Sequence, residues 1–279
     1  MHKRSKNRYA LGMTHKIIFA PLHGVTIRVF RDAYFSCFGG FDEVVAPFIA
    51  AVRDAHEVRD NHYKDILPVP KTGPTLVPQI MGNEPQSLAS TALAIGSMGY
   101  REVNWNLGCP YPMVARKKRG AGLLQHPDMI ARGLDALCDA HARGGPAVSV
   151  KLRLGMVDAA EFDSVLPVLN GHPLASVTLH PRLGSQMYDG QPMLDEFERV
   201  APLIKASLSY NGDIRTLADF ERLQQRFPYL SSWMLGRGAI MDPFLAARIK
   251  GLTLPEDKRP LLRHFHETLY DGYEAYLHG

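Results

Sequence analysis

The residues of this chain that could do chemistry fall in a few short polar runs. Asn106-Leu107-Gly108-Cys109-Pro110 places one cysteine just after a strand-like segment and ahead of a basic cluster, Arg116-Lys117-Lys118-Arg119. Lys151 and Arg153 close another β-rich run, and His180 and Arg182 a third. Asn211-Gly212-Asp213 and Gly236-Arg237-Gly238 follow two more. A thiol in a Gly-Cys-Pro turn is badly placed for packing alone; it can serve as nucleophile, general acid or redox group. No resolving cysteine is near Cys109, which weakens the redox choice, and Cys37 and Cys138 lie in helical patterns as small buried groups. His23 and His180 are suited to proton exchange or substrate contact. No His/carboxylate set with metal spacing accompanies them, so no metal is expected. A lysine at the end of a buried strand needs a partner, so Lys151 suits an anionic or polarised group. Each Gly-rich turn alone reads as a tight turn. The pair, with the guanidinium of Arg237, points to a phosphate-bearing cofactor or substrate.

These residues need elements that bring them to one place. β-rich runs are predicted at Lys16–Ala20, Asp42–Ala46, Thr75–Ile80, Glu102–Trp105, Ala147–Leu152, Ser176–His180, Ser207–Tyr210 and Trp233–Leu235. Helical patterns separate most of them: Ile27–Phe38, Pro85–Met98, Pro127–Arg143, Ala160–Leu169, Met193–Leu203, Thr216–Arg226 and Asp242–Lys250. The stretch Arg53–Lys64 reads as a helix or a functional loop. Strands joined through helices pair in parallel. Eight such units in roughly 250 residues predict an α/β fold of the (β/α)8 TIM-barrel class. The rival, a doubly wound open sheet, would want Gly-x-Gly-x-x-Gly after its first strand, where this chain has Pro21-Leu22-His23-Gly24. In a barrel Pro21, Gln79, Asn106, Lys151, His180, Asn211 and Gly236 all lie at one mouth, where active sites form. The expected organisation is a basic N-terminal tail over 1–14, a catalytic barrel over 15–250, and a short C-terminal helical region over 251–279. That region reads as one helix or two short ones over Leu261–Tyr276, with Phe265, Leu269 and Tyr276 on the packing face.

Bulk properties narrow the setting. The 279 residues are 46 % hydrophobic and 22 % charged, which supports a large buried core and argues against wholesale disorder. A net charge of +4 permits a polyanionic partner without requiring one. Three cysteines without a Cys-x-x-Cys pair argue against a disulfide framework and fit a cytoplasmic, reducing location. No apolar run reaches the length of a membrane span. The N-terminal basic stretch lacks the apolar core of a secretory signal; it reads as a solvated tail or, alternatively, an RNA-contacting arm. No obligate protein partner is evident.

Seven segments together carry a resemblance to the tRNA-dihydrouridine synthases. They are Ala20-Pro21-Leu22-His23-Gly24-Val25-Thr26, Val77-Pro78-Gln79-Ile80-Met81-Gly82, Asn106-Leu107-Gly108-Cys109-Pro110 with Gly120-Ala121-Gly122-Leu123-Leu124, Val150–Gly155, His180-Pro181-Arg182 with Gln186–Gly190, Asn211–Ile214, and Met234–Ala239. The resemblance implies reduction of a tRNA uridine to 5,6-dihydrouridine, with FMN as cofactor and NADPH as its reductant. It implies that Pro21, Leu22 and His23 border the flavin, with His180 close by. Gln79 and Lys151 would contact its ring or ribityl edge, and Asn211, Gly212, Asp213, Gly236 and Arg237 would hold its ribityl-phosphate end. Cys109 would protonate uracil C5 after hydride reaches C6. Asn106, Arg153 and Tyr188 would meet the flipped base, and Arg116, Lys117, Lys118 and Arg119 would track tRNA phosphates. Two departures stand out. Many members carry His-Gly-Arg-Thr where this chain has His180-Pro181-Arg182-Leu183, and the usual C-terminal tRNA-gripping region has only about residues 256–279 to occupy. The competing readings are an FMN barrel reductase of a small molecule and a non-catalytic RNA-binding relative.

Overall fold

The computed structural model describes residues 15–56, 58, 60–67 and 72–278, so the predicted basic tail over 1–14 lies outside the described residues. The first half of the chain forms β1 (Lys16–Phe19), α1 (Arg28–Cys37), β2 (Glu43–Val45), β3 (Ile49–Ala50), β4 (Thr75–Val77), β5 (Gln79–Met81), α2 (Pro85–Ser97), β6 (Glu102–Leu107), α3 (Pro112–Ala115) and α4 (Pro127–Ala142). The second half forms β7 (Ala147–Gly155), α5 (Glu161–Asn170), β8 (Ser176–Leu183), α6 (Leu194–Val200), β9 (Ser207–Asn211), α7 (Leu217–Arg226), β10 (Ser232–Leu235), α8 (Arg237–Met241), α9 (Leu245–Ile249) and α10 (Arg259–His278).

Every strand pair is parallel, in the order β3-β5-β6-β7-β8-β9-β10-β1-β2-β4. The ring closes because β2 and β3 are two parts of one strand position, as are β4 and β5: β2 pairs with β4 and β3 with β5. Pro47 and Pro78 mark the two breaks, since proline has no N–H to give a ladder. The result is the predicted (β/α)8 barrel, with the second and third of its eight positions each split in two.

Side-chain alternation builds two cores. Outward-facing Ile17, Phe19, Val44, Leu76, Ile80, Val103, Trp105, Val150, Val177, Tyr210 and Trp233 pack against the helices in one large cluster. A fully buried side chain of this size stabilises by roughly 1.5–3 kcal/mol. Contact is tight where α4 crosses β6: a Cβ on Gly133 would stand 2.4 Å from the Trp105 ring, so only glycine fits there. Inside the barrel, Ile18, Ala20, Val45, Val77 and Met234 form a separate small apolar cluster from β1, β2, β4 and β10. The inward positions of β5 to β9 are polar instead: Gln79, Asn104, Asn106, Ser149, Arg153, Thr178, His180, Arg182 and Ser209 are all buried.

Local signals explain most helix limits. Pro85 opens α2, and the Glu84 carboxylate accepts from the backbone N–H groups of Gln86 and Ser87 at 3.3 and 2.7 Å. Thr216 and Asp219 form a reciprocal capping box on α7. Other limits differ from expectation. The helix predicted over Met193–Leu203 ends at Val200 and tightens into a 3-10 turn, Ala201–Leu203, around Pro202. The helix predicted over Asp242–Lys250 begins only at Leu245 and is preceded by α8. Of the stretch Arg53–Lys64, the described residues include a 3-10 turn at Asp60–His62. α10 packs on α1 through Phe265, whose ring meets Phe30, Tyr34 and Phe38 edge-on. Leu269 joins that contact, but Tyr276, expected on the same face, is 42 % exposed and has the Lys64 ammonium over its ring.

Candidate active site

The C-terminal ends of the strands open on one cleft. Of the residues singled out in the sequence, Pro21, Leu22, His23, Gln79, Asn106, Cys109, Lys151, Arg153, His180, Tyr188, Asn211, Gly212, Asp213, Gly236 and Arg237 all line it. Arg116, Lys117, Lys118 and Arg119 do not. They form the outer turn between α3 and the 3-10 segment Gly120–Leu123, and the first three are exposed.

Cys109 is held by its own turn. The Asn106 Oδ1 accepts the backbone N–H groups of Gly108 at 3.0 Å and Cys109 at 2.9 Å, and Ala121 donates to the Cys109 carbonyl at 2.9 Å. Gly120, at φ +55°, lies directly against this turn; a Cβ there would be 2.5 Å from the Cys109 carbonyl oxygen. Burial pushes the thiol up, outweighing a backbone hydrogen bond from Tyr111 and the charges of Arg153 and Lys151. Cys109 therefore remains a neutral, proton-bearing thiol at neutral pH.

Lys151 and Arg153 reach inward from β7. Lys151 is half-buried, and burial, helped by the Arg153 charge, lowers its pKa to about 7. Arg153 donates from Nε to the Gly108 carbonyl at 3.1 Å and from Nη1 to that of Leu183 at 2.6 Å. The Tyr188 ring lies 5.6 Å from the Arg153 guanidinium and 5.4 Å from that of Arg237. On β8, Arg182 Nη1 stands 3.1 Å from His180 Nε2. A guanidinium can only donate, so Nε2 is the bare nitrogen and Nδ1 carries the proton. Burial and then the charges of Lys151, Arg153, Arg182 and Arg237 hold this imidazole neutral.

The loops after β9 and β10 meet at Asp213. Its carboxylate accepts from Arg182 at 2.7 and 3.1 Å and from Arg237 at 2.8 Å, with Arg215 at 3.8 Å. Burial opposes ionisation, but Arg182, Arg237 and Arg215 still hold this carboxyl below its usual range. Gly238 packs under the same loop, where a Cβ would come within 2.0 Å of the Ile214 carbonyl oxygen. Asn211 Nδ2 donates to the Met234 carbonyl at 2.9 Å, tying β9 to β10. Among the described residues, the non-glycine positions with left-handed backbone are Lys118, Met187 and Asp213. Of these, Asp213 lines the cleft, a usual place for stored strain.

Several lining residues escaped sequence reasoning. Phe48 stacks on His23 at 4.8 Å with the rings 8° apart, and Tyr111, Ile214 and Arg215 join the wall. Phe48 was legible in principle, because it follows the second predicted strand by two residues. Arg182, placed by the sequence at a strand end and given no role, is the buried hub of the charge network. No group of His, Cys, Asp and Glu able to hold a metal ion occurs among the described residues.

A closed parallel barrel with a protonated thiol, a neutral imidazole and a glycine-edged cationic loop at its C-terminal mouth defines a (β/α)8 barrel protein with a cationic cleft. A dihydrouridine synthase domain is matched over residues 18–274, and the chain belongs to the dihydrouridine synthase family. It is an enzyme that reduces uridine in tRNA to dihydrouridine. The tRNA-dihydrouridine(16) synthase of Cupriavidus necator is 31 % identical over 244 residues, covering 85 % of this chain and 74 % of that protein. A probable tRNA-dihydrouridine synthase of Staphylococcus aureus is 28 % identical over 273 residues, covering 92 % of this chain and 78 % of the relative. Among solved structures, morphinone reductase superposes with a TM-score of 0.60 at 13 % identity, covering 89 % of each chain, a likeness of fold.

Proposed function

We propose that the cleft binds FMN, with NADPH as its reductant, and receives a flipped tRNA uridine beside Cys109. The observation that carries this reading is the charge of the cavity. Lys151, Arg153, Arg215 and Arg237 line it against one carboxylate, Asp213. A phosphate with a polarisable ring answers that imbalance. Backbone N–H groups at Gly212 and Gly236, together with Arg237 and Asn211, suit the phosphate end. A carboxylate repels phosphate, so Asp213 serves that end by holding Arg182, Arg215 and Arg237 in place. Pro21, Leu22 and His23 border the ring, and Gln79, Lys151 and the Nδ1–H of His180 face its polar edge. Bound and reduced, a flavin supplies the hydride that uracil C6 accepts.

The chain's own groups do the rest. The Cys109 thiol donates its proton to C5 as negative charge develops there and on the C4 carbonyl. Arg153 has Nε and Nη1 committed to backbone carbonyls, which leaves Nη2 for a uracil oxygen. Asn106 gives one amide hydrogen to Gln79 and its oxygen to the Cys109 turn, leaving its second amide hydrogen for the base. Tyr188, set beside two guanidinium groups, forms a wall for that base. Arg116, Lys117, Lys118 and Arg119 follow the phosphates outside. The name of the Cupriavidus relative favours position 16 as the target. Among the described residues no helix is long and apolar enough to cross a membrane, and free Cys37, Cys109 and Cys138 fit a reducing cytoplasm.

The test is anaerobic. The bound flavin is reduced and mixed with unmodified tRNA, with free uridine and fully modified tRNA as controls, and its reoxidation is followed by absorbance. Reoxidation by unmodified tRNA alone is expected, with the product mapped to position 16. Reoxidation by free uridine at the same rate would overturn the tRNA-specific reading.

A further inference from the structure

Behind the lining residues, a chain of buried amides runs from the Cys109 turn into the polar half of the barrel. Asn106 Nδ2 lies 2.8 Å from Gln79 Oε1, Gln79 Nε2 lies 2.7 Å from Asn104 Oδ1, and Asn104 Nδ2 lies 2.9 Å from Ser149 Oγ. Gln79, Asn104 and Ser149 occupy matched register positions on β5, β6 and β7, so the strands themselves line them up. Gln79, Asn104, Asn106 and Ser149 are all buried.

The direction of this chain follows from one end. The backbone N–H groups of Gly108 and Cys109 can only donate, so Asn106 must present its oxygen to them. Its amide nitrogen then has to donate to Gln79, Gln79 has to donate to Asn104, and Asn104 has to donate to the Ser149 hydroxyl. Each amide has two orientations, and one flip would put nitrogen against nitrogen or oxygen against oxygen where that amide meets its amide neighbours. Water cannot readily correct such a mismatch in a buried row, so the row acts as a unit.

We propose that Asn104 is a positioning residue that fixes the Cys109 turn through Gln79 and Asn106, with Ser149 as the terminal partner of the row. The inference rests on the reading of Cys109 as the proton donor. It goes beyond that reading by assigning a buried pair of residues that touches neither cofactor nor uracil.

Asn104→Asp keeps an oxygen facing Gln79, and the Ser149 hydroxyl can rotate to donate to the other oxygen. Asn104→Leu removes both links at similar volume. The first measurement uses the whole protein and counts alkylation of Cys109 by iodoacetamide, with Cys37 and Cys138 as internal references in the same mass spectrum. In Asn104→Leu the Cys109 rate relative to the references is expected to rise by about fivefold or more as the turn loosens, and in Asn104→Asp to stay near wild type. The second measurement is single-turnover reoxidation of the reduced enzyme by tRNA. It is expected to slow by about tenfold or more in Asn104→Leu, part of what a general acid contributes, with NADPH-driven reduction, which also uses Gln79, slowed much less and Asn104→Asp restoring the rate. Wild-type alkylation and reoxidation in a folded Asn104→Leu protein would overturn the proposal, as would an equal loss in both half-reactions. Should Asn104→Leu fail to fold, Ser149→Ala removes the terminal partner of Asn104, together with a hydrogen bond to Glu102; the same changes, smaller in size, are expected, and their absence would overturn it. Cys109→Ala in the same assay separates the two ideas. Full turnover there sinks the proton-donor reading, while slowed turnover there beside an unaffected Asn104→Leu sinks only the relay.

Discussion

The two halves of the barrel interior have the same backbone and opposite chemistry. On β10, β1, β2 and β4 the inward positions are Met234, Ile18, Ala20, Val45 and Val77, a dry cluster. On β5 to β9 they are Gln79, Asn104, Asn106, Ser149, Lys151, Arg153, Thr178, His180 and Ser209, a row of amides, hydroxyls and charges. The apolar half resembles the usual barrel filling and contributes stability through burial. The polar half buries donors, acceptors and charges whose desolvation is costly unless every group finds a partner. A barrel needs only the first kind of filling to fold. The second kind is concentrated on adjacent strands because it positions a thiol, a lysine and a neutral imidazole around one cavity.

That contrast can be broken at either half, and the largest effect belongs to the polar side. Cys109→Ala is expected to lower turnover on tRNA by about 10²–10⁴-fold, the usual worth of a positioned general acid. Flavin content and tRNA affinity should be unchanged, as read by absorbance and by filter binding. On the apolar side, Ile18→Ala is expected to lower unfolding free energy by about 2–5 kcal/mol in a urea titration, from lost burial and the cavity left behind. Its single-turnover reoxidation rate should match wild type at a temperature where both are folded. A variant that lost catalysis in proportion to stability would dissolve the division of labour between the halves. A smaller effect is expected outside the barrel. Neutralising both Lys117 and Lys118 should weaken tRNA binding, and the slope of log affinity against log salt should flatten by about one to two. An unchanged slope would return that turn to an ordinary solvated surface.

Much of this was legible before any coordinates. Strand-helix alternation gave the barrel, and the rule that strand ends share one mouth gathered the cleft residues from Pro21 to Arg237. What escaped had two causes. Pro47 and Pro78 split two strand positions, and alternation counted over short runs does not show how a broken strand re-pairs. Asn104 and Ser149 escaped because single inward polar residues look like noise in sequence. Only the register of β5, β6 and β7 shows that they touch. Asp213 shows a subtler limit: two of the arginines it holds, Arg182 on β8 and Arg237 after β10, are 31 and 24 positions away in sequence, so only the fold brings them together.

The smallest expected effect tests whether the polar half is destabilising when no ligand answers its charge. Lys151 has a folded pKa of about 7, lowered from 10.5 by burial and by Arg153. Below about pH 7 the lysine is charged in both folded and unfolded chains, and the folded state carries the full cost of its desolvation. Between about 7 and 10.5 the unfolded chain holds a proton that the folded chain has released, so stability rises with pH across that window. Lys151→Met removes the group and the dependence with it. In flavin-free protein the variant should therefore melt a few degrees above wild type at pH 6.5. That gap should narrow as pH rises toward 10, by at most about 1.4 kcal/mol per pH unit, and by less because water in the open cleft screens the ammonium. A gap that stays constant with pH would mean that Lys151 keeps its ordinary pKa in the folded chain. The polar half would then be stable by itself, without an anion to complete it.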